Sequence, residues 1–300
     1  MTKTIKVMLT GKDGQLGRAL LEKIPAGIEV VALGRQDLDL SNKESCHNAV
    51  LEYRPDWVLN AGAYTAVDRA ESEPDLAMAV NAVAPEAFAQ ALGEVGGRLL
   101  QVSTDFVFNG TQAHPYHPDQ PVDPISVYGA TKAEGERLVQ KALPATSYCI
   151  LRTSWVYGPV GNNFCLTMLR LHRLKSAQNE TLNVVADQIG CPTSAWNLAC
   201  ACWSAINHGT SGIHHFCDAG AASWYDFAIA IGDAGVAAGI IDQSAKVVPI
   251  TSSEYPTPAK RPGYSLLDCT ATRIALELDI NHWQKELSKV IAKIPKSTLT

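Results

Sequence analysis

Short apolar runs and amphipathic stretches alternate through the first half of the chain. A short apolar run predicts a buried strand, and apolar residues three or four positions apart predict a helix. Predicted strands cover residues 5–9, 28–33, 56–60, 98–103 and 147–152, and predicted helices cover residues 15–23, 43–53, 75–95 and 126–142. This alternation predicts parallel strands joined by crossover helices, and therefore an α/β fold with a doubly wound parallel sheet.

The alternation is less regular after about residue 158. Further helices are predicted at 164–175, 194–207 and 223–234, further strands at 181–186 and 212–217, and an irregular wall over the site at the proline-rich segment 249–265. We expect a Rossmann-like dinucleotide-binding domain over residues 1–158 and about 182–218. A smaller C-terminal substrate-binding lobe is expected over residues 159–181 and 219–300.

Composition and charge exclude several classes of function. The 300 residues carry a net charge of −5 and no basic stripe, which argues against a nucleic-acid-binding surface. No apolar run reaches the roughly 18 residues that a membrane span needs, and no signal peptide is predicted. The eight cysteines are scattered without a C-x-x-C pair, so we predict reduced thiols and a cytoplasmic protein.

A glycine-rich turn joins the first predicted strand to the first predicted helix. Gly11, Gly14 and Gly17 follow the strand with the spacing G-x-x-G-x-x-G. Glycines let the backbone approach a pyrophosphate closely, and the start of the helix offers free N–H groups. The turn therefore predicts a dinucleotide site, and the alternative is an ordinary tight turn between a strand and a helix.

The second predicted strand ends at Arg35, a position that bears on the choice of cofactor. An acidic residue at this place would bind the 2′-hydroxyl of the adenosine ribose, whereas an arginine can pair with a 2′-phosphate. We therefore predict NADPH in preference to NADH, and the alternative is a solvent-facing arginine. Asp39 and Leu40, just downstream, fit a loop that covers the adenine.

Tyr128 and Lys132 are four residues apart and share one face of a predicted helix. An ammonium near a phenol lowers the pKa of the phenol from its ordinary value of about 10, which would make Tyr128 a proton donor near neutral pH. Lys132 is also predicted to hydrogen-bond the nicotinamide ribose. The alternative is a tyrosine and a lysine on a solvated helix face.

Two hydroxyl residues, Ser103 and Thr104, end the fourth predicted strand. A hydroxyl there can donate to a substrate carbonyl that Tyr128 also contacts, and two donors on one oxygen stabilise the charge that develops as hydride arrives. We expect one of the two hydroxyls only to cap the end of the strand. Thr104, Tyr128 and Lys132 are therefore the predicted catalytic residues.

Longer blocks of sequence surround these residues, at 11–17, 34–40, 60–71, 81–82, 103–110, 128–132, 152–158, 162–164, 187–193 and 261–262. They cover nearly the whole chain and resemble the extended short-chain dehydrogenase/reductase family and, within it, the dTDP-4-dehydrorhamnose reductases. The resemblance implies NADPH-dependent reduction of the 4-keto group of dTDP-4-dehydro-L-rhamnose to dTDP-L-rhamnose. Hydride would reach C4, Tyr128 would supply the proton, and the product would be used for cell-surface polysaccharide.

The resemblance also implies which residues form the site. Residues expected to bind the cofactor are Gly11, Asp13, Gly14, Gln15, Leu16, Gly17, Arg35, Asp39, Leu40, Ala61, Gly62, Ala63, Tyr64, Ser103, Tyr128 and Lys132. Residues expected to bind the dTDP-sugar are Val67, Thr104, Asp105, Trp155, Asn163 and Arg261. Trp155 is expected to pack beside the sugar, and Arg261 to bind the diphosphate or a neighbouring nucleotide group.

One family feature does not match this sequence. Some members bind Mg²⁺ between subunits through glutamates, but the corresponding positions here hold Gln15 and Trp196, which are poor Mg²⁺ ligands. We therefore predict no metal site and no metal-bridged dimer, while a homodimer stays open.

Two alternative functions also stay open. One is a nucleotide-sugar epimerase or dehydratase on the same scaffold. Asp105 favours a dehydratase, but Phe106 argues against it, because a dehydratase would usually carry a glutamate at position 106. Tightly retained NAD would favour an epimerase. The other is a non-catalytic regulatory subunit like the beta subunit of methionine adenosyltransferase, although Thr104, Tyr128 and Lys132 are all present.

Overall fold

The computed structural model describes residues 4–295, in which strands and helices alternate as expected. The strands are β1 (Ile5–Thr10), β2 (Ile28–Leu33), β3 (Trp57–Asn60), β4 (Arg98–Thr104), β5 (Tyr148–Thr153), β6 (Val156–Tyr157), β7 (Leu182–Val185), β8 (Ile189–Gly190), β9 (Thr193–Ser194), β10 (Gly212–His215), β11 (Ala222–Ser223) and β12 (Val247–Ile250). The α-helices are α1 (Gln15–Glu22), α2 (Lys43–Tyr53), α3 (Val67–Ala70), α4 (Pro74–Met78), α5 (Ala84–Val95), α6 (Val127–Ala142), α7 (Phe164–Ala177), α8 (Ala195–Asn207), α9 (Trp224–Ala237), α10 (Thr270–Ala275) and α11 (Trp283–Ile291). A π-helical turn (Ala79–Val83) joins α4 to α5, and 3₁₀ turns lie at Asp105–Val107 and Ser252–Glu254.

Six parallel strands form the main sheet, in the order β10-β5-β4-β3-β1-β2. The chain first runs from β1 to β2 at one edge and then crosses back over β1 to β3, so the strand order reverses between β1 and β3. This arrangement confirms the predicted doubly wound sheet. Ligands of such sheets bind outside the carboxyl ends of the strands, next to the reversal, and those ends are Thr10, Asn60 and Thr104.

Helices cover both faces of this sheet. Met8 and Leu9 are neighbours on β1 and point to opposite faces, because side chains alternate along a strand. Met8 packs with residues of α2 and α5, and Leu9 with residues of α1 and α8. Both side chains are fully buried, and each such burial stabilises the fold by roughly 1.5–3 kcal/mol. The sheet is therefore a firm base for the loops at its carboxyl end.

A further core lies among α7, α9 and α11, beyond the main sheet. Phe227 of α9 is fully buried there and contacts the rings of Tyr157, Phe164 and Trp283. Beside this core β7 pairs in parallel with β12, with Leu182 next to Val247.

The prediction of an irregular wall at 249–265 is therefore wrong at its start, where β12 forms. Proline is disfavoured in strands except at edges, so Pro249 makes the sequence of β12 look like a turn and not a strand. Its pairing partner, β7, also lies far away along the chain.

Helix α6, which carries Tyr128 and Lys132, is fixed at its start and along its side. Ser126 caps the helix, because its Oγ accepts a hydrogen bond from the Gly129 N–H at 3.1 Å. The π-helical turn faces α6, and Asn81 of that turn donates to Thr131 Oγ1 at 3.1 Å and accepts from the Tyr64 N–H at 2.9 Å. The turn thus connects α6 to the loop that follows β3.

Two global features are consistent with the composition. All eight cysteines are free thiols, and Cys200 is the one that is exposed. Among residues 4–295, no helix has the length and apolar character that crossing a membrane requires.

Candidate active site

A cavity of about 1540 Å³ lies outside the carboxyl ends of the main sheet and is closed on its far side by α7, β7 and the segment 252–261. Its walls contain every residue predicted to bind cofactor or substrate except Gly17, Tyr64 and Asn163. The fold therefore gathers residues that are far apart in sequence around one space.

The glycine turn lies at the bottom of this cavity with no room for side chains. Gly11 has a φ of 71°, in the left-handed region that favours glycine. A Cβ on Gly11 would lie 2.8 Å from the Gly62 Cα, and one on Gly17 would lie 2.1 Å from the Gly11 oxygen. Helix α1 begins after Gly14 without a side-chain cap, so its first N–H groups are open to a ligand. These features fit the pyrophosphate of a dinucleotide.

Charged side chains surround the end of the cavity next to β2. Arg35 is exposed on the cavity wall. Lys12 pairs with Asp37 at 2.5 Å, and Asp37 also accepts from the Gly34 N–H at 2.8 Å. A Cβ on Gly34 would lie 3.1 Å from Lys12 Cε, so Lys12 is close to Gly34, which Arg35 follows in the chain. Two cations near this end of the cavity fit the 2′-phosphate of NADPH. Lys12 was not predicted as a site residue, although its place between Gly11 and Gly14 was a signal in the sequence.

Thr104 lies at the carboxyl end of β4 and forms part of the cavity wall. Its Oγ1 accepts from the Phe106 N–H at 3.2 Å and donates to Asp105 Oδ1 at 3.0 Å. The same hydroxyl lies close enough to Tyr128 to offset a small part of the rise that burial causes in the pKa of the phenol. The hydroxyls of Thr104 and Tyr128 therefore lie together, as expected for two donors to one substrate oxygen.

Tyr128 and Lys132 occupy the predicted positions, but their electrostatics differ from the prediction. Burial raises the pKa of Tyr128 to about 12, with a smaller lowering by Thr104 and a further raising by the charge of Asp105. Burial also lowers the pKa of Lys132 to about 8, and its Nζ donates to the Val102 oxygen at 2.7 Å. The predicted lowering of the Tyr128 pKa by Lys132 is therefore wrong in this structure, because desolvation of the phenol is the larger effect.

Asp105 is a fully buried carboxyl group next to Thr104. Burial raises its pKa to about 6, and the nearby hydroxyls of Ser265 and Thr104 lower it by less. Its Oδ2 has no direct hydrogen-bond partner within residues 4–295. A buried oxygen without a partner is costly, so Asp105 fits the task of binding a sugar hydroxyl.

A buried ion pair that was not predicted from the sequence lies beside Ser103, at the end of β4. Arg152 donates to Glu136 from Nη2 at 2.7 Å and from Nε at 3.0 Å, and Ser103 Oγ donates to Glu136 Oε1 at 2.5 Å. Ser103 is thus bound to the framework, while Thr104 is the hydroxyl that faces the phenol. The available signal was the position of Glu136, four residues beyond Lys132 on the same helix.

Two stacked indoles form another part of the cavity wall. The rings of Trp155 and Trp224 lie parallel, 3.5 Å apart between centroids, and Trp224 Nε1 donates to Gln188 Oε1 at 3.2 Å. Trp155 has a φ of 47°, which is strained for a large side chain. Gly190 gives its ring space, since a Cβ there would lie 2.5 Å from the indole. A flat aromatic surface of this kind fits the face of a sugar ring.

Arg261 reaches across the cavity wall to α3. Its Nη2 donates to Asp68 Oδ2 at 2.8 Å and its Nη1 to Asp68 Oδ1 at 3.1 Å, and this pairing holds the pKa of Asp68 below its ordinary value. Val67, also predicted to bind substrate, lies next to Asp68 on the wall. Arg261 therefore fastens the segment 252–261 to α3, and a diphosphate would share it with Asp68.

Two predicted binding residues have framework contacts in this structure. Asn163 caps α7 and donates from Nδ2 to Gln15 Oε1 at 2.8 Å, while its neighbour Asn162 lines the cavity. The Tyr64 hydroxyl donates to Glu73 Oε2 at 2.5 Å. Direct contacts of Asn163 and Tyr64 with a ligand stay predictions.

The two positions that the resemblance links to Mg²⁺ have other partners in this structure. Gln15 accepts from Asn163, and Trp196 Nε1 donates to Glu22 Oε2 at 2.9 Å. In the part of the chain that the structure describes, no group of three or more His, Cys, Asp or Glu side chains is arranged to hold a metal ion. The residues at this place do not fit Mg²⁺.

A doubly wound sheet with a glycine turn after β1, and with a Tyr-x-x-x-Lys helix beside the cavity, defines the class of the extended short-chain dehydrogenases/reductases. The family model described as RmlD substrate binding domain matches residues 5–295. The chain belongs to this family.

Individual relatives agree with this family over nearly their full lengths. The chain is 39% identical over 295 residues to a dTDP-4-dehydrorhamnose reductase of Aggregatibacter actinomycetemcomitans, covering 96% of this chain and 98% of the relative. It is 42% identical to the reductase of the same name from Streptomyces griseus, covering 94% and 91%. The crystal structure of dTDP-4-dehydrorhamnose reductase from Bacillus anthracis in complex with NADP superposes with a TM-score of 0.87 at 34% identity, covering 96% and 98%.

Proposed function

We propose that this protein reduces the 4-keto group of dTDP-4-dehydro-L-rhamnose with NADPH and yields dTDP-L-rhamnose. The observation that carries the proposal is the match over 96% of this chain to a relative with that activity in its name, in a chain whose Thr104, Tyr128 and Lys132 line one cavity. The NADP complex of the Bacillus anthracis relative supports the choice of cofactor.

Different residues around the cavity fit different parts of the cofactor. The turn at Gly11 would hold the pyrophosphate, Arg35 and Lys12 the 2′-phosphate, and Lys132 the nicotinamide ribose. NADPH, when bound there, supplies hydride to the carbonyl carbon of the sugar. The two indoles at Trp155 would support the sugar ring.

Tyr128 protonates the C4 oxygen as the carbonyl becomes an alcohol. Because its pKa is raised to about 12, the phenol keeps its proton at neutral pH and is ready to act as an acid. The alkoxide that forms at C4 is a stronger base than phenolate, so proton transfer is favourable. Thr104 donates to the same oxygen, and its lowering effect on the Tyr128 pKa favours the phenolate that remains.

The test is the reaction with the purified protein. NADPH and dTDP-4-dehydro-L-rhamnose are supplied, NADPH oxidation is followed by its absorbance, and the sugar product is identified by NMR. We expect one NADPH oxidised for each dTDP-L-rhamnose formed. Retained NAD with an isomerised sugar and no net NADPH oxidation would indicate an epimerase instead, and absence of turnover would indicate a regulatory subunit.

We also propose two structural lobes, with residues 1–158 and about 182–218 binding the cofactor and residues 159–181 and 219–300 binding the sugar nucleotide. Residues 1–3 and 296–300 of this division lie outside the described part of the chain. Because β7 pairs with β12, we move residues 182–185 of this division from the first lobe to the second, so that the cofactor-binding part resumes at about residue 186. A homodimer and a cytoplasmic location stay predictions, which sedimentation and cell fractionation would test.

A further inference from the structure

Glu136 lies one helical turn beyond Lys132 and two turns beyond Tyr128, on the same face of α6. Its side chain is almost completely buried, and so is that of its partner Arg152. Ser103, at the end of the catalytic strand, donates to the same carboxylate at 2.5 Å. Glu136 therefore contacts β4 and β5 at once from the helix that carries the proton donor.

The balance of buried charge makes Glu136 important to Lys132. Lys132 and Arg152 are two buried cations, at 4% and 2% exposure. The charge of Glu136 favours the ammonium form of Lys132 against the opposing effect of burial. Without this carboxylate, Arg152 would lose its salt-bridge partner, and Lys132 would lose the charge that opposes the effect of its burial.

Other charged groups around this cluster do not replace Glu136. Asp105 faces Tyr128 from the turn after β4 and hydrogen-bonds Thr104. From β10, His215 Nε2 lies 3.3 Å from Arg152 Nη1, and burial together with Arg152 lowers the pKa of His215 to about 3. His215 is therefore neutral at physiological pH and adds no charge.

We propose that Glu136, held by Arg152 and Ser103 one turn beyond Lys132 on the same helix face, is a positioning residue whose carboxylate keeps Lys132 in its charged form. Arg152 and Ser103 hold the carboxylate in place, so that it can act on Lys132 without moving towards it. The role of Lys132 in reduction rests on the proposed function, whereas its charge state does not.

The test measures the titration of Lys132 directly, by NMR of side-chain-labelled lysines with the signal assigned through Lys132→Met. In Glu136→Gln the midpoint of Lys132 should fall by about one pH unit or more, because an opposite charge is removed. In Arg152→Gln it should rise, because the carboxylate loses its compensating cation. Both variants break the same ion pair, so a merely structural role of Glu136 predicts that the Lys132 midpoint shifts in the same direction in both. That result would overturn the proposal.

Glu136→Asp supplies the conservative comparison, since it keeps the charge and should keep the Lys132 midpoint closer to wild type than Glu136→Gln does. If the ion-pair variants do not fold, Ser103→Ala leaves the pair intact. An upward movement of the Lys132 midpoint in Ser103→Ala supports the proposal, and a downward or absent movement overturns it.

Activity gives a second readout that separates this proposal from the proposed reaction. The pH at which kcat/KM declines on the alkaline side should move down in Glu136→Gln together with the Lys132 midpoint. If the NMR midpoint moves and wild type shows no NADPH oxidation with the sugar nucleotide, the inference about Glu136 stands and the proposed function fails. If wild type turns over normally and the Lys132 midpoint does not move in Glu136→Gln, the proposed function stands and the inference about Glu136 fails.

Discussion

The two ends of the cavity use charge in opposite ways. At the catalytic end, Lys132, Asp105 and Glu136 are buried, and desolvation moves the pKa values of Lys132 and Asp105 towards neutrality. At the adenosine end, Arg35 is exposed, and Lys12 forms an ion pair open to solvent. Buried charges change the protonation of neighbouring groups, whereas solvent-exposed charges attract a ligand only weakly because water and salt screen them. Changes at the catalytic end should therefore have larger effects.

The largest effect is expected for Tyr128→Phe, which removes the proton donor. We expect kcat to fall by about 10³-fold, while the Kd for NADPH changes little, since the ring remains. Tyr53→Phe, on α2 and away from the cavity, is the matched control and should keep full activity. Undiminished turnover in Tyr128→Phe would remove the basis of the proposed mechanism.

The next effect is expected for Thr104→Val, which keeps the shape of the side chain but removes the second donor to the C4 oxygen. Loss of one such donor typically lowers kcat by about 10²-fold. Thr104→Ser restores the hydroxyl and should recover most of the rate. Equal losses in both variants, measured as kcat at saturating substrate, would mean that packing and not hydrogen bonding is responsible.

Asp105→Asn should affect stability in a pH-dependent way. Burial raises the pKa of Asp105 to about 6, above the value of about 3.9 in the unfolded chain. The folded state therefore binds more protons than the unfolded state between these values, and wild type loses stability as pH rises through this window.

Relative to wild type, Asp105→Asn should gain about 2 kcal/mol in free energy of unfolding between about pH 4 and pH 7, as denaturant titrations at both pH values would show. Activity should fall at the same time, since the carboxylate is lost from the sugar site. A difference between variant and wild type that is constant with pH would show that the Asp105 charge is not disfavoured by burial.

The smallest effect is expected at the exposed end. Arg35→Ala should lower kcat/KM for NADPH by about tenfold, as for loss of one charge-assisted hydrogen bond, and leave kcat/KM for NADH unchanged. Arg18→Ala, an exposed arginine outside the cavity wall, should change neither value. If the ratio of kcat/KM for NADPH to kcat/KM for NADH is unchanged in Arg35→Ala, the 2′-phosphate binds Lys12 instead.

The main sheet could be predicted because each of its strands is locally encoded. Buried parallel strands are continuous apolar runs, and helices on both faces repeat at their own spacing, so β1 to β5 and α1, α2 and α6 agree with the sequence within one or two residues. The strand β12 could not be predicted in the same way. Its pairing with β7 is a contact between distant segments, and the prolines around it indicate turns.

The site shows the same division. Residues at strand ends, such as Gly11 and Thr104, are predictable because topology alone brings them together. The side-chain partners were harder to predict, because the spacing of Glu136 four residues after Lys132 is a weak signal that many exposed helix glutamates share. The raised pKa of Tyr128 also depends on desolvation, which follows from tertiary packing and is not visible in a four-residue spacing.

The strained backbone of Trp155 has a consequence for protein engineering. A search for stabilising substitutions would choose this position early, because replacing a bulky residue at positive φ with glycine or asparagine usually relieves strain. Here that replacement would remove one half of the indole stack that lines the cavity. A variant selected for thermal stability alone would therefore lose the aromatic surface that we propose supports the sugar ring. Any such library should keep Trp155 and its neighbour Gly190 fixed.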